Sequence, residues 1–523
     1  YLYPYDGTVF PRGLKAPLIM WQGGAGKAVY LSIRSQYFQY DGCLTPSADG
    51  QLQLKQEIWD KVGLHTLGPN TPYTFELSTL DGDTVHGPIH QEVVIAQATL
   101  KGSLYYNSYN SPLAAGDDGL GALGIGFGAI LRIRPGQDAE YFLRQDTCTG
   151  CHTVSANGQR LIAEESSLDE TGQVYELDPD TKPNPSPKTT ATNAQFVGLS
   201  PDGSLYINSS VRGFVGPNRG GGGALLGDAD SVLTETDTGK AVDGSGLPST
   251  AMMPTFSPDG ALIAFNDFAQ GNGYGLAVMD YDPDARKASN ERTLYMSASM
   301  TAYIGWPFVL PDNNGVIFTE GESSDFSGGG VGIVLGPPGP RSDLKIADVK
   351  SGKATLLARA MGFATPDDAA NDNKTYLPFG AEELHQAYYP TVSPVASGGY
   401  FWVFFDSVRH YGNLGLQRQL WGTAITVKAD GDYTSDPSHP AFYLSVQELN
   451  TANHRAFTAL DPCRDDGSTC DTGIDCCSGF CTDGVCGPPQ KCANTDEACQ
   501  TGDDCCNPDD QCISGFCGTV QLL

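Results

Sequence analysis

Basic residues are scarce: 31 Lys and Arg stand against 61 Asp and Glu, a formal net charge of −30. Nucleic acid is held by clustered Lys and Arg, so it is excluded as a partner, and docking on anionic lipid goes with it. Such a balance favours solubility and attraction to cationic partners or divalent metals. Long apolar runs are missing too. The nearest, Gly119 to Leu131, is Gly-laced and falls short of the roughly 20 residues that span a bilayer, so no membrane span is expected. The opening YLYPYDG has neither a basic nor an apolar leader region, which implies that any export signal has been removed or lies outside this sequence. No Gly-x-Ser-x-Gly elbow occurs, so no hydrolase nucleophile can be named.

Gly (64) and Pro (34) are plentiful while charged residues make up only 18%, a composition of short strands joined by turns. At 523 residues the chain is too long for one ordinary core and predicts several domains. Twelve of its 15 cysteines fall between Cys463 and Cys517. That density persists only under oxidising conditions, so a secreted, cell-surface or periplasmic location is expected.

The predicted class is all-β in three parts. Residues 1–98 alternate apolar and polar in AVYLSIRSQYF and YTFELSTL, as in a small β-sandwich of the fibronectin or immunoglobulin type. Residues 99–460 carry a loose repeat: a β-run, a Ser-Pro-Asp-Gly type turn, and another apolar β-run. It reads as HTVSANGQRLIAEE, FVGLSPDGSLYINSS, PTFSPDGALIAFND, PFVLPDNNGVIFTE and PTVSPVASGGYFWVFFDS. A degenerate unit, LKGSLYYNSYN with AILRIRPGQDAEYFL, makes six, and the period predicts a six-bladed β-propeller. The repeats resemble TolB-type propeller units, whose turn they share at Ser200 to Gly203 and Ser257 to Gly260. That resemblance implies a fold and no activity.

Residues 461–523 hold two sets of six cysteines, C-x6-C-x5-CC-x3-C-x4-C and C-x6-C-x5-CC-x5-C-x4-C. Spacing alone leaves the pairing open. The pattern resembles inhibitor cystine knots, and the resemblance implies bridges Cys463 to Cys477, Cys470 to Cys481 and Cys476 to Cys486, then Cys492 to Cys506, Cys499 to Cys512 and Cys505 to Cys517.

One short stretch carries chemistry. In DTCTGCHTVSANG, Cys148, Cys151 and His152 form Cys-x-x-Cys-His, the attachment pattern of one covalent haem c, in which both thiols become thioethers and the His binds iron. A zinc site would need two further ligands, and a thioredoxin-like pair would need a βαβ setting. A strained disulfide between the two cysteines stays open. Superposing the repeats on their turns sets His152 opposite Met253-Pro254, Trp306-Pro307 and Tyr389-Pro390, at the axial mouth. Met253, with Met252 beside it, is the expected sixth iron ligand and His385 the runner-up. Tyr388, Tyr389 and Trp306 are expected to flank the porphyrin or to pack the blades. The motif together with TolB-type blades resembles exported haem-bearing propeller proteins of bacteria, which implies the haem anchors and no further catalytic residues.

GLGALG at 119–124 lacks the βαβ unit of a dinucleotide site. Asp280, Asp282, Asp284 and Glu291 copy calcium-loop spacing and keep a calcium site open as the minor reading, although Ala285 stands where Gly is required and the stretch reads first as a blade hairpin. His86 and His90 could clip a metal but read first as a solvated loop, and Cys43 reads as a buried free thiol with an intermolecular bridge as the alternative. The functional expectation is extracellular or periplasmic electron transfer by a monohaem c-type cytochrome, with an unassigned redox partner. A haem enzyme of peroxidase or oxidase type with an open axial site is one alternative. A surface structural, adhesive or fibre-forming protein, a homo-oligomer with accessory haem, is the other.

Overall fold

The computed structural model describes residues 1–523 apart from 24–25, 110, 115–127, 145–148, 165–170, 193, 195, 210–229, 269–272, 300–301, 323–340, 371, 373, 416–417, 465, 471–475, 478–480, 483, 488–494, 496–498, 500–504, 508–509, 514–515 and 519–523. The repeated turn is built from its own side chains. Ser200 Oγ donates to Asp202 at 2.6 Å and accepts from the Leu205 amide at 3.0 Å, while the Gly203 amide donates to the Ser200 carbonyl. Ser257, Asp259, Gly260 and Leu262 repeat the arrangement, as do Ser155, Asn157, Gly158 and Arg160. The third position has φ of +74° at Gly158, +73° at Gly203 and +75° at Gly260, where glycine avoids the Cβ clash that other residues suffer. Each turn reverses the chain into an apolar strand such as Leu262–Asp267, buried at every position.

Among the described residues, six antiparallel sheets, three of them carrying this turn, follow one another between residues 103 and 459. The first contains strand β1 (Ser103–Tyr109), Gly128–Ile133 and Glu140–Leu143. The other five begin with β2 (Gly150–Val154), β3 (Gly198–Leu199), β4 (Ala251–Phe256), β5 (Ala302–Val309) and β6 (Tyr388–Val392). Each then runs through consecutive strands paired antiparallel. A strand absent from the sequence-based expectation, β7 (Ala452–Ala459), returns to pair antiparallel with β1, from Ala452 opposite Tyr109 to Ala459 opposite Ser103. Strands β2 to β7 touch in order and β7 touches β2. This is the arrangement of a β-propeller, its first sheet completed by chain from the far end.

Residues 1–98 form one five-stranded sheet and a two-stranded ribbon, where a fibronectin-like pair of sheets was expected. The sheet order is Thr8–Arg12, Thr84–Thr99, Tyr73–Asp81, Ala28–Ser35, Phe38–Leu44, with the first pair parallel. The ribbon joins Leu18–Met20 to Gln51–Gln53. Helix α1 (Gln56–Leu64) buries Ile58, Trp59 and Val62, whose spacing puts them on one face. Trp59 meets Phe10 edge-on at 5.4 Å, and this core continues into the last propeller sheet: Phe10 lies 5.7 Å from Phe442 and Tyr5 stacks on Trp421 at 5.9 Å.

In the tail, Cys463 is bonded to Cys477, Cys470 to Cys481, Cys476 to Cys486, Cys499 to Cys512 and Cys505 to Cys517. These are the pairs that the resemblance implied; Cys492 lies outside the described residues. Cys43 sits on the edge strand Phe38–Leu44 and is free and exposed, correcting the expectation of burial: its side chain points to the open face while Phe38 turns inward. Among the described residues no helix is long and apolar enough to cross a membrane.

Candidate functional site at the propeller axis

Five of the six innermost strands lose register at the same step: between Gly150 and His152, Met252 and Thr255, Gly305 and Phe308, Tyr388 and Thr391, and His454 and Phe457. Such bulges re-aim a side chain. At this level Phe196, just ahead of β3, and Met253, Trp306, Tyr389 and Arg455 all have left-handed backbone, φ +45° to +54°. For residues with a side chain this costs on the order of 1–3 kcal/mol each and persists only where surroundings enforce it, commonly at ligand sites. Cys151 occupies the corresponding step of β2.

These residues meet. The rings of Phe196 and Trp306 lie 4.6 Å apart and those of Trp306 and Tyr389 4.7 Å apart. The Arg455 guanidinium sits 5.1 Å from Phe196, 4.7 Å from Trp306 and 5.0 Å from Phe457, a cation held by aromatic faces. Met252 and Met253 are buried in the same cluster. A small cavity of about 60 Å³ has Met253, Trp306 and Arg455 in its wall together with Phe256, Phe308 and Val392.

His152 is fully buried. Its Nδ1 lies 2.7 Å from Asn107 Oδ1, its ring meets Phe457 at 5.4 Å, and its Nε2 is buried with no hydrogen-bond partner. Burial first, and the Arg455 charge second, push its pKa down to about 3, against a smaller pull from the Tyr105 carbonyl. The imidazole is therefore neutral at physiological pH, the form that ligates metals. Cys148 lies outside the described residues, and for Cys151 only the backbone is described. The residues present fit a haem in one respect that can be tested on the structure: a buried imidazole nitrogen without a partner, next to the step that carries Cys151.

The other candidates fall elsewhere. Met253 donates its amide to Ser209 Oγ, and its link to His152 runs through Arg455, which touches Trp306 on one side and Phe457 on the other. His385 is engaged at both ring nitrogens, Nδ1 by Asp343 and Nε2 by Arg341 at 2.8 Å and Asp372 at 3.2 Å. Tyr388 lies under the Arg418 guanidinium at 4.3 Å. Asp280 is taken up by Asn290 and Arg292, and Asp282 caps the amides of Asp284 and Ala285 in a hairpin turn. His86 and His90 stand on the long strand Thr84–Thr99, not in a loop, and His90 pairs with Glu76 at 3.3 Å. GLGALG lies outside the described residues.

Sequence reasoning passed over Asn107, Arg455, and the trio His454, Asp406 and Arg418. Buried Asp406 lies 3.4 Å from both His454 Nδ1 and Arg418 Nη1. None of these belongs to a motif; they converge through pairing between strands distant in sequence.

No family model matches the chain, and no curated protein does. Among solved structures it is similar to TolB from Acinetobacter baumannii, at 11% identity and a TM-score of 0.40, covering 75% of this chain and 79% of that one. It is also similar to the periplasmic gluconolactonase PpgL of Pseudomonas aeruginosa, at 11% identity and a TM-score of 0.36, covering 83% and 100%. A TolB-like protein from Agrobacterium tumefaciens gives 16% and 0.30, covering 50% and 89%.

Proposed function

We propose that this chain is an exported monohaem c-type cytochrome working in electron transfer, with a six-bladed propeller over residues 99–460, residues 1–98 as a β-domain packed on its last sheet and residues 461–523 as two cystine knots. The observation that carries the reading is the unpartnered, buried Nε2 of His152 directly after Cys151. Cys148 and Cys151 would hold haem c through thioethers, His152 would bind its iron, and the group would supply a one-electron Fe(III)/Fe(II) couple. Met253, with Met252 beside it, is the proposed sixth ligand ahead of His385, both of whose nitrogens are already used; Arg455, which stands between Met253 and His152, would have to move aside for it.

The chain's own part is to exclude water and fix orientation. Phe196, Trp306 and Tyr389 close the mouth with apolar rings, and Arg455 places a positive charge beside them. The tail disulfides support an oxidising location. The cavity that reaches Arg455 and Met253 favours one second reading, a haem enzyme with an open axial site, for which a high-spin spectrum would decide.

The test is a pyridine haemochrome assay on protein from the native source or from a host with haem-attachment machinery, with mass analysis of the peptide spanning 146–158. One haem per chain, linked at Cys148 and Cys151, is expected. Cysteines recovered as thiols, or joined to each other, overturn the reading.

A further inference from the structure

Asn107 stands on β1, 3% exposed, with its amide held at both ends. Its Nδ2 donates to the Thr149 carbonyl at 3.1 Å, and its Oδ1 lies 2.7 Å from His152 Nδ1. A carbonyl can only accept, so the NH₂ must face Thr149 and the oxygen must face the imidazole. The proton of the neutral ring is then on Nδ1, and the lone pair is on Nε2, the atom left without a partner. Thr149 lies between Cys148 and Cys151, so one side chain from the neighbouring sheet grips both the loop between the cysteines and the histidine after them.

We infer that Asn107 is a positioning residue: it sets the tautomer and orientation of His152 and tunes the basicity of Nε2 toward iron. This rests on the haem reading above. A stronger acceptor on Nδ1–H makes the imidazole a better donor to iron and favours the ferric state, and a lost acceptor does the reverse. Asn107→Asp keeps an acceptor, makes it anionic, and gives up the bond to Thr149. Asn107→Leu removes both bonds at similar volume.

The experiment compares wild type, Asn107→Asp and Asn107→Leu, produced as holoproteins, by pyridine haemochrome, thermal unfolding and spectroelectrochemical midpoint. All three are expected to carry haem. The Fe(III)/Fe(II) equilibrium should move at least tenfold toward ferric in Asn107→Asp, about 59 mV for a one-electron couple, and in the opposite direction in Asn107→Leu. Opposed shifts are not what a merely structural residue gives. Haem in the wild type with unchanged midpoints, or with both midpoints moving the same way, overturns the inference and leaves the haem reading standing. No haem in the wild type overturns both. Should Asn107→Leu fail to accumulate, the sign of the Asn107→Asp shift still decides.

Discussion

Replacing Asn453 with Leu should loosen the ring at its seam. Asn453 lies on β7, fully buried, and makes five side-chain bonds. It accepts from Ser108 Oγ at 2.7 Å and Thr451 Oγ1 at 3.0 Å, and donates to Gln419 Oε1 and Gln447 Oε1 at 3.1 Å and to the Glu448 carbonyl at 3.2 Å. Nδ2 has two hydrogens to share among its three acceptors, so at about 1 kcal/mol net per bond the ceiling is about 4 kcal/mol. Three partners keep a second bond: Gln419 with Tyr443, Gln447 with the Leu420 amide, and Thr451 with the Glu448 carbonyl. Only Ser108, itself fully buried, is stranded, which brings the expected loss to about 3 kcal/mol. Urea unfolding followed by tryptophan fluorescence measures it, because Trp402 and Trp421 are fully buried in the last sheet beside this seam. Adding Ser108→Ala should cost nothing further and return about 1 kcal/mol, since the stranded hydroxyl goes with it. A loss below about 1 kcal/mol for Asn453→Leu, or full additivity in the double variant, would refute the claim that this network holds the closure.

His439 is largely buried against Thr426 Oγ1 at 2.9 Å, and burial, then Arg359 and Lys428, push its pKa down to about 4. Its unfolded value near 6.5 is higher, so the unfolded chain takes the proton first as pH falls. The contribution is full above about pH 6.5 and drains away toward pH 4, by about 2 to 3 kcal/mol. Urea midpoints at pH 7.5 and 4.5 should therefore separate more for wild type than for His439→Gln; equal separations sink the assignment. Replacing Cys476 and Cys486 by Ser opens one tail bridge and should cost the tail about 2 to 4 kcal/mol. Limited proteolysis should then cut within 461–486 while the tryptophan-detected transition stays put. A transition that moves with the tail would show the tail to be an integral support of the propeller.

What was legible in the sequence was local. The tail pairs came from the resemblance to cystine knots and not from the spacing, whereas Ser-Pro-Asp-Gly writes its own hydrogen bonds within six residues, so the repeat could be recognised from letters alone. Cys-x-x-Cys-His was legible for the same reason. Helix α1 escaped notice because its apolar stripe is short and lies amid strand-forming segments. Cys43 was misjudged because alternation along Phe38–Leu44 assigns faces only once it is known which side packs, and here the cysteine falls on the outer one. The seam was invisible: nothing in NHRAFTA announces that its partner is SLYYNSY, and with that pairing unseen, Asn107, Arg455 and Asp406 had no neighbours to be read against. Nor does sequence mark the left-handed step, since a residue ahead of proline ordinarily prefers extended backbone.

Because β7 comes from the far end, the imidazole of His152 starts life uncovered. Phe457 and Arg455, which wall it in, are translated long after the strand they shelter. Until that last segment docks, His152 stands open on an incomplete ring. Once it docks, the same segment shuts the door, so order of synthesis here doubles as order of access.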